Sequence, residues 1–266
     1  MSEVTERDYL LNQQYVDSVN LQRRIDLHAR FSTNRYGWFR WVFDHIDSPE
    51  GSRLLELGCG QGDLWAENLA RLSEGWMLVL SDFSPKMLAT ARKKLLGQIR
   101  SAFFCLIDAQ SIPYPNGCFD VVIANHMLYH VPQRDQALFE IQRILQPGGR
   151  FYATTIGERH MEELALLVKD FDPKLKGPLA AEEIGFILEN GASQLKACFS
   201  HVERYRYEDM LVVTQAEPLV DYVLSSTRLG INSTQRAAFA DYVEQHIQSR
   251  GELHMTKDSG LFICWN

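Results

Sequence analysis

The residues best suited to chemistry are three glycines that follow a short apolar run. Leu54–Leu57 has the length and composition of a buried strand, and Gly58, Gly60 and Gly62 follow it, each separated from the next by one residue. Glycine lets the backbone approach a ligand closely, and open α/β sheets bind ligands at the carboxyl ends of their strands. We therefore expect this loop to form a ligand-binding site.

Two classes of cofactor compete for such a loop, and the spacing separates them. A dinucleotide-binding loop has the pattern G-x-G-x-x-G and receives a pyrophosphate at a helix N-terminus, whereas this chain has G-x-G-x-G, with Asp63 in place of the last glycine. Glu56 and Asp63 would repel a pyrophosphate, but they suit S-adenosylmethionine, which carries a sulfonium and an ammonium and no phosphate. We expect Glu56 and Cys59 to contact that cofactor together with the three glycines.

Two aspartates follow the next predicted strands. Asp82 comes twenty residues after Gly62, where an acid accepts hydrogen bonds from both hydroxyls of a ribose. The alternative is that Asp82 caps the following helix, although Ser84, which precedes a proline, is the better cap. Asp108 follows the third strand and is placed to accept a hydrogen bond from an adenine amino group, the alternative being that it only begins a turn. We favour the ligand-binding interpretation of both.

Two histidines, His126 and His130, follow the fourth predicted strand. Methyl transfer from a sulfonium is an in-line displacement, so a base is needed only when the acceptor arrives protonated, and His126 is the candidate base because histidine titrates near neutrality. We expect His130 and Tyr129 to line the acceptor pocket, the alternative being that both histidines only shape it. Their i, i+4 spacing suits two metal ligands, but no nearby glutamate or third histidine completes a site, so no metal is predicted.

Arg30 is a further candidate, in the helical N-terminal region. Its guanidinium would pair with the carboxylate of the cofactor if this helix closes over the site, since arginine favours bidentate contacts with carboxylates. The alternative is an ordinary surface arginine in solvent.

The elements that must position these residues alternate between short apolar runs and amphipathic helices, which is typical of a parallel sheet buried on both faces. The predicted strands are Leu54–Leu57, Met77–Ser81, Ala102–Ile107, Asp120–Ala124 and Arg150–Thr155. Beyond them we predict helices near 158–169, 180–190, 192–199, 217–228 and 234–249, a strand from Val202 to Val213, and a last strand at the end of the chain. We divide the chain into an N-terminal helical cap (1–50), a cofactor-binding core (51–156) and a remainder with substrate-binding insertions (157–266).

Composition narrows the partners. The 266 residues have a net charge of −7 and no run of basic residues longer than Arg92–Lys94, so nucleic acid is not an expected partner. Five scattered cysteines form no Cys-x-x-Cys pair, which fits a reducing cytoplasm. No apolar run approaches the ~20 residues of a membrane span, so no membrane partner is expected.

Five motifs occur in order between residues 53 and 156. They are Leu55–Gly62, Ser81–Leu88, Asp108–Tyr114, Phe119–Val122 and Leu145–Phe151. In these motifs the chain resembles the class I S-adenosylmethionine-dependent methyltransferases, in particular those of ubiquinone and menaquinone biosynthesis. The resemblance implies a Rossmann-like α/β fold with a seven-stranded sheet in the order 3-2-1-4-5-7-6, the last strand antiparallel.

The resemblance also implies roles for residues beside the cofactor. Asp82 would bind the ribose, Phe83 and Met87 would border the adenosine, Asp108 and Ala109 would contact the adenine, and Asn125 would lie beside the cofactor.

The sequence therefore predicts a methyltransferase that acts on a small molecule. Enzymes that methylate amino groups of nucleobases or amides resemble one another in an Asn/Asp-Pro-Pro-Tyr/Phe motif, and this chain has Asn125-His126-Met127-Leu128 there, which argues against that class. A protein that binds the cofactor without catalysis and a nicotinamide-dependent oxidoreductase are the alternatives. The patterns specify neither the acceptor, nor whether O, N or C is methylated, nor the oligomeric state.

Overall fold

The elements of the computed structural model follow the predicted alternation of strands and helices. The structure describes residues 18–175, 184–225 and 232–266. Strands of the described residues are β1 Arg53–Leu57, β2 Met77–Asp82, β3 Ala102–Leu106, β4 Phe119–Asn125, β5 Leu145–Ile156, β6 His201–Tyr207, β7 Met210–Val213, β8 Leu253–Thr256 and β9 Ser259–Trp265. Their α-helices are α1 Ser18–Phe31, α2 Trp38–Asp44, α3 Asp63–Ala66, α4 Pro85–Leu95, α5 Arg134–Ile144, α6 Glu162–Phe171, α7 Gly191–Leu195, α8 Ala216–Leu224 and α9 Ser233–Arg250.

The chain divides into two units, each assembled from separate segments. The first, which we call the core unit, consists of Tyr36–Ile156, Gly185–Tyr207 and Ser259–Asn266. The second unit takes its described residues from the segments 1–35, 157–184 and 208–258. Residues 1–17 of the predicted cap, and parts of the helices predicted near 180–190 and 217–228, lie outside the described residues. The roles of the three predicted segments as cap, core and insertions stay predictions.

The core unit contains a seven-stranded sheet. Its strand order is β3-β2-β1-β4-β5-β9-β6, and β9 runs antiparallel to both of its neighbours. The other neighbouring strands pair in parallel, so the carboxyl ends of β1, β2 and β4 lie at the same edge of the sheet. This arrangement confirms the predicted fold and strand order, with β9 as the predicted seventh strand.

The central strands are buried on both faces, as their continuous apolar runs predict. On one face Leu54 packs in an apolar cluster with Leu78 and Val121, its register partners on β2 and β4. On the other face Leu55 packs in a separate cluster with its own register partners. Successive side chains of β1 point to opposite faces of the sheet and pack in both apolar clusters. β1 is therefore held rigidly, and the loop that follows it starts from a fixed point.

Helix α2 belongs to the core unit, although the sequence analysis groups its residues with the N-terminal cap. Val42 and Phe43 are buried in the same apolar cluster as Leu54 and Trp65. The Phe43 ring meets the Trp65 ring edge-on, with centroids 6.4 Å apart. The apolar stripe of α2 therefore packs in the core unit.

The prediction of one strand from Val202 to Val213 is wrong, because the segment splits into β6 and β7. β6 pairs with β9 in the seven-stranded sheet, whereas β7 pairs with β8 in a two-stranded sheet of the second unit. Between them, the Asp209 carboxylate accepts hydrogen bonds from the backbone amides of Asn34 and Met210. The chain leaves the first sheet there, which an unbroken alternation of apolar and polar residues does not reveal.

The helix predicted over 180–190 is wrong for residues 185–190, which form turns and loop, whereas Ile184 before them is helical. Gly185 has a φ of +69°, outside the helical region, and the Asn190 side chain accepts a hydrogen bond from the Ile187 amide at 3.0 Å. An asparagine that binds nearby backbone in this way competes with a helix.

The second unit has an apolar core of its own. Its members come from α1, α6, α8, α9, β7 and β8 and include Leu27, Leu164, Leu219 and Phe239. In the part of the chain that the structure describes, no helix is both long enough and apolar enough to cross a lipid bilayer.

Candidate active site

The loop after β1 uses glycine because of its backbone conformation and its packing. Gly58, Gly60 and Gly62 have φ values of +67°, +55° and +78°, which side chains rarely adopt. A Cβ atom on Gly58 would lie 2.8 Å from the Cβ of Met127, and one on Gly62 would lie 2.7 Å from a methyl group of Leu95. The loop itself therefore requires glycine at these positions, before any ligand is considered.

Asp82, the last residue of β2, connects this loop to the start of α4. One carboxylate oxygen accepts a hydrogen bond from the Gly60 amide at 2.9 Å, and the other accepts one from the Ser84 amide at 2.8 Å. Ser84 caps α4 through its hydroxyl, as predicted, and Pro85 is the first residue of the helix. Burial raises the pKa of Asp82 to about 6, although the amides of Ser84 and Gly60 act in the opposite direction.

Asp82 has no counter-cation among the described residues, since no lysine or arginine in them pairs with it. With a pKa of about 6, the Asp82 carboxyl is ionised in most molecules at neutral pH. The site thus holds an almost buried negative charge that only backbone amides stabilise. Such a group retains capacity to accept further hydrogen bonds from a ligand.

The two acids on which the sequence argument relied behave differently. Glu56 is 1% exposed and accepts a hydrogen bond from the Trp65 indole at 2.6 Å, and burial raises its pKa to about 8. Asp63 pairs with Lys94. The charge argument from Glu56 and Asp63 therefore does not hold as stated, because one acid is mostly protonated at neutral pH and the other is compensated. Asp82 provides the uncompensated charge beside the loop.

Cys59 lies within the glycine loop and is buried. Its amide donates to the Ser81 carbonyl at 2.8 Å, which fixes the loop against the end of β2. Burial raises the pKa of the Cys59 thiol, so this side chain stays a neutral thiol. Its position allows a backbone contact with a ligand but gives no nucleophile.

The residues predicted to surround the adenosine lie after β2 and β3. Phe83 is half-buried, whereas Met87 is 2% exposed and Ala109 is 5% exposed. Asp108 lies two residues beyond the end of β3, and one of its carboxylate oxygens accepts bonds from the backbone and side-chain amides of Gln110, both at 3.0 Å. Asp108 therefore forms the turn that was its alternative interpretation, and its contact with adenine stays a prediction.

Asn125 and His126 end β4 in an unusual conformation. His126 has a φ of +52°, in the left-handed region that non-glycine residues rarely occupy. The buried Thr154 hydroxyl holds both residues, since it donates to Asn125 Oδ1 at 2.6 Å and accepts from the His126 amide at 2.9 Å. Strained residues that the surroundings fix in this way cluster at functional sites. Sequence reasoning missed Thr154, because on β5 it reads as one more buried strand residue.

Aromatic rings pack around His126 within the core unit. The Trp38 ring lies 5.0 Å from the His126 ring, 5.4 Å from Trp41 and 5.3 Å from Tyr207, measured between centroids. The indole nitrogen of Trp38 is buried, and no described group accepts its hydrogen bond. Helical periodicity accounts for a packed tryptophan at this position but gives no sign of an indole N–H without a partner.

Tyr129 and His130 follow His126 closely, but the three do not share a helix. Only Leu128–His130 forms a short 3-10 turn, and His126 lies outside it in its left-handed conformation. His126 and His130 therefore do not share a helical face, although their i, i+4 spacing would place them on one in a helix. The Tyr129 ring contacts both histidines, with centroids 4.5 Å from His130 and 6.2 Å from His126. Within the described ranges, no group of three or more suitable side chains could hold a metal ion.

Arg30 belongs to the second unit. Its guanidinium donates to the Gln215 side chain at 2.6 Å and is exposed. Its proposed pairing with the carboxylate of the cofactor stays a prediction.

Part of the core unit matches a known protein family. Residues 55–153 match the protein family described as "Methyltransferase domain". The core unit thus contains a methyltransferase domain over these residues, and its strand order is the one that the class I resemblance implied. The match spans the glycine loop, Asp82, Asp108 and the Asn125–His126 corner, and it confirms the family resemblance read from the five motifs.

Relatives of the methyltransferase domain include two proteins named ubiquinone/menaquinone biosynthesis C-methyltransferase UbiE. The protein of Methylococcus capsulatus is 34% identical over 137 residues, which are 51% of this chain and 54% of that protein. The protein of Vibrio cholerae is 30% identical over 152 residues, which are 55% of this chain and 58% of that protein. The chain thus spans about half the length of the curated relatives that it matches.

Solved structures share the fold at low sequence identity. Phosphoethanolamine N-methyltransferase 2 of Haemonchus contortus, in complex with S-adenosyl-L-methionine, has a TM-score of 0.61 and 17% identity, covering 99% of this chain and 60% of that chain. The [4+2]-cyclase SpnF has a TM-score of 0.51 and 21% identity, covering 85% of this chain and 78% of that chain. One of these names describes a cyclase, so the fold by itself does not decide the reaction.

Proposed function

We propose that this protein transfers the methyl group of S-adenosylmethionine to a small-molecule acceptor. The observation that carries the proposal is the position of three groups at adjacent strand ends of a methyltransferase domain. They are the glycine loop after β1, the uncompensated carboxylate of Asp82 after β2, and the strained His126 after β4.

The cofactor would lie along the glycine loop, where Gly58, Gly60 and Gly62 leave room for close approach. Asp82 would accept hydrogen bonds from the ribose hydroxyls while its oxygens keep their bonds to the Gly60 and Ser84 amides. Phe83, Met87, Asp108 and Ala109 would surround the adenosine, and Asn125 would lie beside the methionine end. Glu56, protonated in the free protein, would ionise more readily beside a bound cation.

The acceptor would lie near His126. During transfer the bond from the cofactor sulfur to the methyl carbon breaks, a bond from that carbon to the acceptor forms, and His126 takes the proton that the acceptor loses. Trp38 would donate its indole N–H to an oxygen of the acceptor, and Tyr129 and His130 would border the pocket. We infer a ring-hydroxylated aromatic acceptor, which the aromatic wall beside His126 favours and which agrees with the names of the relatives.

Binding measurements separate the proposal from its alternatives. We expect saturable binding of S-adenosylmethionine in titration calorimetry and no detectable binding of NAD. Preferential binding of NAD would instead indicate an oxidoreductase. Single-turnover reactions with methyl-deuterated cofactor against a panel of ring-hydroxylated aromatics should yield a product heavier by one labelled methyl group, and fragmentation locates it on oxygen or carbon. Cofactor binding without any transfer would contradict catalysis.

The base is tested by His126→Asn, because asparagine tolerates the left-handed conformation and removes the titratable ring. We expect turnover to fall by roughly 10²–10⁴ with cofactor affinity nearly unchanged, and the acidic limb of the pH–rate profile to disappear. His201→Asn, at an exposed position that begins β6, is the matched control. Profiles of the same shape in both variants would leave His126 as a pocket residue that only positions the acceptor.

A further inference from the structure

The second unit contains an open cleft that the proposed reaction does not use. Its volume is about 610 Å³, within the range of small-molecule sites. The end of α1 and the residues after it, up to Arg35, line one side, and Val212, Thr214 and Gln215 line the other.

Backbone pairing holds the two walls in place. Ser32 forms a β-bridge with Leu211, and the Thr33 amide donates to the Met210 carbonyl at 2.9 Å. Arg30, in the last turn of α1, reaches the opposite wall through its hydrogen bond to Gln215. The cleft is therefore a built feature of this unit, with a fixed backbone on both sides.

The charge of the cleft is positive, although the chain as a whole has a net charge of −7. Arg30 and Arg35 both line it, and none of its described lining residues is acidic. Asp209 lies behind the wall, where it accepts a hydrogen bond from the Ser32 hydroxyl, but the Lys257 ammonium compensates it at 2.7 Å. Glu217, the next acid along α8, pairs with Arg236. Among the described residues of the lining, the two guanidinium groups thus face the cleft without a compensating acid.

We infer that this cleft binds a small organic molecule through a carboxylate or phosphate group. Two guanidinium groups offer the planar pairs of N–H donors that match the oxygens of such anions. The Thr214 hydroxyl adds a further donor, and Phe31 and Val212 give the lining an apolar part for an organic body. The inference does not depend on the proposed methyl transfer, since it uses no residue of the core unit.

The test is a titration followed by amide NMR shifts of the full chain. Phenyl phosphate and benzoate are the two probes, and sodium chloride at matched ionic strength is the control. We expect saturable shifts at the Thr33, Thr214 and Gln215 amides with one probe or both, and the tighter probe identifies phosphate or carboxylate as the preferred group. Shifts that chloride reproduces, or that do not saturate, would overturn the inference.

Variants distinguish direct binding by the two arginines from a general effect of positive charge. Arg30→Gln and Arg35→Gln should each weaken probe binding about tenfold, and Arg30→Lys should weaken it less, because lysine keeps the charge but loses the fork. Arg23→Gln, on the same helix but outside the lining, should bind as the parent does. Equal affinities in the two cleft variants and the control, with unchanged circular dichroism, would show that the arginines hold no ligand.

S-adenosylhomocysteine is titrated in the same spectra, because its own carboxylate is an oxyanion. We expect its shifts to stay within the core unit and the phenyl phosphate or benzoate shifts to persist in its presence. Shifts at Thr214 and Gln215 that compete with the probes would assign the cleft to the carboxylate of the cofactor and overturn the inference of a separate ligand.

Discussion

Each of the two units contains an aspartate that accepts several hydrogen bonds, and the two aspartates differ in what surrounds them. In the core unit, the described partners of the Asp82 carboxylate are backbone amides, those of Gly60 and Ser84 among them, and burial raises its pKa to about 6. In the second unit, the Asp209 carboxylate is also desolvated, yet Lys257, Ser32 and backbone amides lower its pKa below the ordinary value.

The pKa directions have opposite consequences for stability. Asp82 has a folded pKa above its unfolded value, so its contribution to stability is fully present at low pH and is lost as pH rises through about 6. Asp209 has a lowered folded pKa, so its contribution is present at neutral pH and is lost as pH falls through the folded value. The second unit thus uses its aspartate for folding, whereas the core unit keeps an ionised one at a cost, as a binding group would require.

Gly60→Val should have the largest effect on the core side of this comparison. A β-branched side chain resists the φ of +55° at this position and would occupy the space where loop and cofactor meet. We expect no detectable binding of S-adenosylmethionine in calorimetry, with a folded spectrum by circular dichroism. Gly97→Val is the matched control, since its φ is +81° but no atom lies within 4 Å of its Cβ. Retained cofactor affinity in a folded Gly60→Val protein would show that the loop does not hold the ligand.

Asp209→Ala should have the largest effect on the second unit. The Asp209 side chain is 0% exposed and Lys257 is 10% exposed, so the substitution removes a buried carboxylate from beside a buried ammonium. We expect the free energy of unfolding in urea to fall by about 3–5 kcal/mol. Glu217→Ala, which removes an exposed partner of Arg236, should change it by less than about 1 kcal/mol. Similar losses of unfolding free energy in both variants would show that the Asp209–Lys257 pair contributes no more to stability than an exposed ion pair.

Whether the place of a residue can be predicted from sequence depends on how far apart its partners lie along the chain. Asp82 and the glycine loop could be found because each follows a strand directly, so a short stretch of sequence fixes its place at the sheet edge. Asp209 could not, because its partners Ser32, Asn34 and Lys257 come from segments far apart in the chain. The same limit applies to β6 and β7, where twelve similar residues divide between two sheets.

The hydrogen bonding and ionisation of single side chains could not be predicted from sequence either. Periodicity predicts that Trp38 is buried but cannot show that its indole N–H lacks an acceptor among the described residues. Formal charges predicted an acidic loop, whereas burial protonates most of Glu56 and Lys94 compensates Asp63. Both errors arise because desolvation and pairing depend on the folded surroundings of a group.

Asp82→Ala should have a smaller effect than the first two substitutions, and on binding instead of folding. It removes a charged acceptor that would serve two ribose hydroxyls, so we expect the binding free energy of S-adenosylmethionine to weaken by about 1.5–3 kcal/mol in calorimetry. The urea midpoint should fall less than in Asp209→Ala, because Asp82 takes part in no buried ion pair with a described residue. Unchanged cofactor affinity would show that the ribose assignment is wrong.

The smallest effect that we predict is the pH dependence of cofactor binding. In the proposed site, ribose hydroxyls would need the ionised form of Asp82 as acceptor, and its pKa in the free protein is about 6. The part of the affinity that depends on Asp82 should therefore be nearly constant above pH 7. It should weaken as pH drops through 6, and the dissociation constant should approach a rise of about tenfold per pH unit below that value. Calorimetric titrations of S-adenosylhomocysteine at pH 5, 6, 7 and 8 measure the slope.

Asp82→Asn is the variant that assigns this slope. The amide keeps one oxygen acceptor, cannot ionise between pH 5 and 8, and removes the buried charge, so the variant should bind more weakly at pH 7 but with a flat profile through pH 6. Glu56→Gln should keep the slope at pH 6, because the pKa of Glu56 is about 8 and its ionisation would affect binding only at higher pH. A slope that survives in Asp82→Asn would mean that another group titrates, and the contrast between Asp82 as a binding group and Asp209 as a folding group would lose its support.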